Sequence, residues 1–149
     1  MEFKSVFKEF TAKVGLDADF DADGNAALLF DGEHEITFTI DNAAHAVFFH
    51  SEITDIALLD LTLCRRLLSA SFLGAQTDGA AFAVHDSLGV IVLWKRFSDV
   101  FADVHELEKA IDGFLAQTIA WKKHLKTQQH NDEEENTAAV IDFQHGLLA

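Results

Sequence analysis

The chain has no proline and no tyrosine, and only one cysteine, one methionine and two tryptophans in 149 residues. With Cys64 alone, no intrachain disulfide can form and no cysteine-based zinc cluster is available. Free cysteine is among the most buried residue types, so Cys64 reads as a small apolar core residue. Basic residues are scarce: 11 Lys and Arg stand against 25 Asp and Glu, a formal charge of −14. Such a field repels phosphate backbones and anionic membranes, which argues against nucleic acid and lipid as partners. It keeps an apolar protein soluble and suits partners that are basic, or locally polar with apolar anchors. No uninterrupted apolar run reaches the ~18 residues needed to span a bilayer. Met1-Glu2-Phe3-Lys4 lacks the basic region and apolar core of an export signal, so the expected compartment is the cytoplasm.

What is abundant is apolar side chain: 49% of the residues, with 14 Phe. That is ample for one packed domain, and nothing marks a seam until about residue 127. Residues 1–126 are expected to form the domain. The polar run Thr127 to Asn136 reads as an acidic, solvated linker, and the sequence turns apolar again at Val140, Ile141, Phe143, Leu147 and Leu148, a short C-terminal tail.

Phe3, Val6, Phe7, Phe10 and Val14 have amphipathic helical spacing, and Gly15 follows as a C-cap. Residues 26–30, the Asp31-Gly32 turn and the alternating run 35–40 predict a β-hairpin that buries Ile36, Phe38 and Ile40. A third strand over 46–53 puts Val47, Phe49, Ser51 and Ile53 on one face, with Phe48 and His50 on the other. Thr54 or Asp55 can cap a second helix running to Phe72. On it Ile56, Leu59, Leu63 and Leu67 share one stripe, and Leu58, Leu61, Leu68 and Phe72 share the opposite one. A helix apolar on two sides needs two things to pack against. One sheet covers one side, so a second copy of the chain is the expected cover for the other, unless another helix of the same chain lies there. A second hairpin over 80–97 turns at Asp86 to Gly89. A third helix opening at Ser98 or Asp99 carries its stripe from Phe101 to Leu125. The fold class is α+β in the order α-β-β-β-α-β-β-α, with an antiparallel sheet packed by helices.

No chemistry-bearing pattern is complete. Asp19 to Gly24 matches the first half of a calcium loop, but Phe30 stands where a bidentate Glu should close the site, so the segment reads as an acidic turn and not a metal site. The eight His are scattered singly, without a zinc-binding pair on one helix. Ser69 and Ser71 have no His partner in sequence, and no glycine pair lies in a nucleotide-binding context. No catalytic residue, metal or cofactor is therefore predicted, and the chain is not read as an enzyme.

The stretch from Leu67 to Val84, with Ser69-Ala70-Ser71-Phe72-Leu73-Gly74 and Thr77-Asp78-Gly79 at its centre, is followed by Gly89-Val90-Ile91-Val92-Leu93-Trp94-Lys95-Arg96-Phe97. Together with the first helix, the Asp23-Gly24 turn and Phe30-Asp31-Gly32, it resembles the class I type III secretion chaperones, the family that includes the Tir chaperone. The resemblance spans about residues 3 to 125. It implies a bacterial cytoplasmic homodimer, formed through the middle helix and a neighbouring strand, that needs no ATP. Such a protein holds the N-terminal region of a secreted effector in extended form, soluble and competent for secretion, and the secretion-apparatus ATPase is a further expected partner. The expected client-binding residues are Phe3, Phe7, Phe10, Phe30, Phe38 and Phe48. The expected dimer contacts are Leu58, Leu61, Leu68, Phe72 and Trp94. The alternative is a regulatory or small-molecule-binding α+β domain, which would need converging polar groups inside an apolar cavity.

Overall fold

In the computed structural model the elements run α1 (Phe3–Val14), β1 (Asn25–Phe30), β2 (His34–Asp41), β3 (Ala46–Asp55), α2 (Leu61–Ser71), β4 (Ala81–His85), β5 (Val90–Ser98) and α3 (Val104–Leu148). The structure describes the backbone of residues 1–148 and the side chains of residues 1–135. All strands join one antiparallel sheet in the order β1-β2-β3-β5-β4. The α+β class and the order of elements are those the sequence predicts.

The core lies between the inner face of the sheet and helices α1 and α3. Phe3, Val6, Phe7 and Phe10 of α1 are buried with Ile36 and Phe38 of β2, Val47 and Phe49 of β3, and Leu107, Ile111 and Phe114 of α3. The Phe3 ring lies 5.6–6.1 Å from those of Phe7, Phe20, Phe38, Phe49 and Phe101. Phe49 meets Phe38 edge-on at 4.7 Å and Phe97 at 4.4 Å. Aromatic contacts of this geometry are worth about 0.5–1.5 kcal/mol each beyond the area they bury. Gly15 ends α1 in the left-handed region (φ 73), its N–H bonding the Ala12 carbonyl while that of Leu16 bonds Thr11.

Three boundaries differ from expectation. β3 runs on to Asp55, and a single 3-10 turn (Ile56–Leu58), capped by the Asp55 carboxylate, separates it from α2. α2 therefore starts at Leu61, with the Asp60 carboxylate accepting the Leu63 N–H at 2.7 Å. Asp60 wins as cap because β3 stays paired with β5 out to Asp55↔Val90, holding residues 54–55 extended. β5 likewise keeps Ser98, and α3 opens at Val104, where Asp103 accepts the Glu106 N–H while Glu106 reaches back to the Ala102 N–H. Finally, α3 continues helically across 127–135, where a linker is predicted. The segment is exposed, as its polarity requires, but it contains neither Gly nor Pro and is rich in Gln and Glu, which favour helix. Thr127 bonds back to the Lys123 carbonyl and His130 pairs with Glu134 one turn on. The expected apolar tail, Val140 to Leu148, lies outside the described side chains.

Candidate interaction surfaces

Of the two expected stripes, Leu61, Leu63, Leu67 and Leu68 lie within α2 and separate onto opposite sides as helical geometry requires, while Ile56, Leu58 and Leu59 precede the helix and Phe72 follows it. Leu67 and Ala70 are buried, and Leu59 and Leu63 pack against the core from its margin. On the other side Leu58, Leu61, Leu68 and Phe72 stand 45%, 76%, 64% and 71% exposed. Among the described residues Phe72 is the one exposed phenylalanine. No other helix of the described chain covers this stripe. Trp94 sits apart on the outer face of the sheet, opposite His50 in the register and half-buried with its ring 5.9 Å from Phe48. Cys64, expected in the core, is only half-buried, because its helical position falls beside Leu61 and Leu68.

The phenylalanines divide differently from the prediction. Phe3, Phe7, Phe10 and Phe38 are closed in the core between α1 and the sheet, so the expectation that they form a contact surface is corrected for all four. An amphipathic helix shows which of its faces is apolar but not whether its own sheet already fills that face. Phe30 and Phe48 remain half-buried, near the edge and on the outer face of the sheet.

The two edges of the sheet are treated in opposite ways. β4 is covered: α2 packs against it, and the Ser71 hydroxyl accepts the Phe82 N–H at 2.9 Å while donating to the Leu67 carbonyl. β1 ends the sheet with β2 as its only pairing partner among the described residues. Its sequence, Asn-Ala-Ala-Leu-Leu-Phe, contains none of the charges or prolines that usually guard an edge. Ile40 bonds across to Gly24, and the Asn25 carbonyl accepts the Asp21 N–H from outside. The alternation of an antiparallel ladder therefore turns the backbone groups of Ala27 and Leu29 outward. The Leu29 side chain is 55% exposed there.

Elsewhere exposed apolar residues such as Leu88 and Val100 stand singly among polar ones. β2 and β3 part after Thr37↔His50; continued, the register would pair Ile36 with Ser51 and then set Glu35 against Glu52, two like charges. Ser51 bridges the split by donating to the Glu35 carbonyl at 2.6 Å. A groove of about 410 Å³ opens there, lined by Glu33, Glu35, His50, Glu52, His85 and Lys122 among others. Burial first, and the neighbouring His85 second, hold the His50 imidazole below its ordinary value, with Glu35 pulling the other way. This lining is not the apolar cavity with a few converging polar groups that the small-molecule alternative needs. In the acidic turn, Asp21 spends its carboxylate on the N–H groups of Asn25 and Asp23, which hold its pKa low. No group of three or more His, Cys, Asp or Glu among the described residues is placed to hold a metal ion. No described helix is long and apolar enough to cross a membrane.

Sequence reasoning missed Leu73, at 86% the most exposed large apolar residue among the described ones, and the unguarded edge of β1. Leu73 escapes because its left-handed backbone (φ 54) ends the helical periodicity one residue before Gly74. The edge of β1 escapes because strand order is not written in a strand's own residues.

No curated protein sequence matches the chain. Several solved structures share its fold. The ExsC–ExsE complex includes a chain that superposes with a TM-score of 0.71 at 20% identity, over 83% of this chain and 96% of that one. The HopA1–SchA chaperone–effector complex gives 0.68 at 15% identity, over 81% and 93%. The Yersinia pestis type III secretion chaperone SycH, in complex with a fragment of YscM2, gives 0.62 at 12% identity, over 80% and 98%. At these identities the likeness establishes the fold. In sequence, residues 5–122 match the model of the Tir chaperone protein (CesT) family, and the chain belongs to that family.

Proposed function

We propose that this protein is a non-catalytic chaperone that works as a homodimer and holds the N-terminal region of a secreted effector in extended form. Residues 1–126 form the binding body. The observation that carries the reading is the unguarded edge of β1 on a member of this family: outward-facing backbone groups at Ala27 and Leu29, with apolar side chains along the strand. A client segment can add there as a further strand, main-chain hydrogen bonds giving affinity that tolerates many sequences. Leu29 and the half-buried Phe30 offer apolar contacts for alternate client side chains. Ordering an extended client costs free energy, which a long contact along the edge must offset.

Self-association is assigned to the exposed stripe of α2. Each Leu or Phe fully removed from water there contributes roughly 1.5–3 kcal/mol, which must offset the entropic cost of association. The surface charge of −14 keeps the exposed stripe from promiscuous aggregation. Compartment and further partners follow the family reading: the bacterial cytoplasm, and the secretion-apparatus ATPase as the receiver of the loaded complex.

The test is capture of effector N-terminal segments by co-expression, with the parent chain and with Ala27→Pro. The substitution removes an outward N–H while leaving the β1–β2 ladder intact. Capture by the parent and at least tenfold weaker capture by the variant, at unchanged melting temperature, are expected. Equal capture by the two would place the client elsewhere.

A further inference from the structure

The exposed stripe of α2 has a projection at one end and a recess at the other. The projection is Phe72 with Leu73, the latter held at φ 54, a backbone conformation that a leucine rarely adopts. The loop behind them is rigid. The Gly79 N–H bonds the Gly74 carbonyl at 3.0 Å, and the two glycines pack so closely that a Cβ on Gly74 would meet the Gly79 Cα at 2.3 Å. The buried Thr77 bonds the Ala80 carbonyl, and the Trp121 indole N–H donates to the Gln76 carbonyl at 3.3 Å, pinning the loop to α3. Two apolar side chains are thus fixed in water before any partner arrives, which lowers the ordering cost of burying them.

The recess is a groove of about 380 Å³ between the start of α2 and α3. Leu58, Leu63 and Leu125 supply its apolar surface, and Gln128, Gln129 and Asp132 form its far wall. Leu58 belongs both to this groove and to the exposed stripe, so the two surfaces are continuous. The eleven residues of α2 span about 16 Å at 1.5 Å per residue, which puts projection and recess at opposite ends of one seam.

We infer that in the dimer each copy seats its Phe72 and Leu73 in the other copy's groove between α2 and α3. This rests on the reading of α2 as the self-association face. A two-fold axis across the middle of α2 runs the two helices antiparallel and brings the end of each onto the start of the other. Both recesses are then filled by one symmetry operation, and no apolar end is left over to build open chains. The far wall comes from residues beyond 122, outside the stretch that the family model matches.

The test uses the full chain with Cys64→Ser. Leu73→Cys is made in one preparation and Gln129→Cys in another carrying a tag of different size, and the two are mixed, allowed to exchange and gently oxidised. A disulfide joining the two tags is expected to predominate, with little self-linking in either preparation alone. Efficient self-linking of Leu73→Cys without the mixed product, in a chain that light scattering shows to be dimeric, would overturn the seating and leave the dimer standing. A monomeric mass at every concentration would remove the dimer and the seating together. As an independent readout, Leu73→Asp changes a residue exposed in the monomer and is expected to raise the dimer dissociation constant at least 100-fold. Unchanged dimer affinity in that variant would also overturn the proposal.

Discussion

Two apolar regions of this molecule are built from the same kinds of residue and do opposite things. Under α1, seven phenylalanines from helix, strands and loops (Phe3, Phe7, Phe20, Phe38, Phe49, Phe97 and Phe101) close on one another until none is left exposed. Along the outer side of α2, Leu58, Leu61, Leu68, Phe72 and Leu73 are held apart, each facing water. The difference is one of supply. The inner face of a single sheet offers one surface, α1 and α3 use it, and α2, placed against β4, has only one of its two stripes covered. What is left over after the core has formed is the part of the apolar surface that can meet another chain.

The largest effect is expected where the first region is broken. Phe49→Ala removes a fully buried ring that contacts Phe3, Phe38, Phe97 and Phe114, and denaturant unfolding should show a loss of about 3–5 kcal/mol. In the second region, Leu68→Asp should raise the dimer dissociation constant at least 100-fold in sedimentation. The unfolding free energy of the diluted monomer should change by less than about 0.5 kcal/mol, because a side chain 64% exposed contributes little to its own fold. If Leu68→Asp unfolded the monomer as Phe49→Ala does, the contrast between the regions would fail. A smaller loss, about 1 kcal/mol, is expected from Asp60→Ala, which strips α2 of its N-cap and lets the stripe fray from its first turn.

The smallest effect is one of pH. His50 lies on the outer face with its pKa held below the ordinary imidazole value of about 6.5, chiefly by burial. The unfolded chain therefore takes up this proton more readily than the folded one, and stability is lost as pH falls from about 6.5 through the lower folded value. Above that range His50 is neutral in both states and contributes no pH dependence. His50→Gln should flatten this part of the stability profile, read as melting temperature between pH 7 and pH 5, and an unchanged slope would assign it to other groups.

Much of this was legible in the sequence, and the reasons are local. The α1 stripe, the Gly15 cap, the alternation of β2 and β3 and the two stripes of α2 are periodicities that each element carries in its own residues. The true start of α2 was hidden because Asp55 and Asp60 are both competent caps, and pairing of β3 with β5 across some 35 residues of chain decides between them. The exposed apolar surface was legible in part. Leu61 and Leu68 are exposed on one side of α2 as its periodicity requires, and Leu58 and Phe72 are exposed in the turns that flank the helix. Phe3, Phe7, Phe10 and Phe38 were misplaced because exposure is a property of the assembled layers, and composition shows surplus without showing where it ends. The free edge of β1 follows from the sheet order β1-β2-β3-β5-β4, a long-range fact that no single segment records.

The central claim is that this chain pairs with itself and holds an extended client. Light scattering of the purified protein, alone and co-expressed with effector N-terminal segments, tests both halves at once. A mass near twice 16.5 kDa that rises by the mass of a bound segment is expected. A stable monomer that captures no segment would contradict the account.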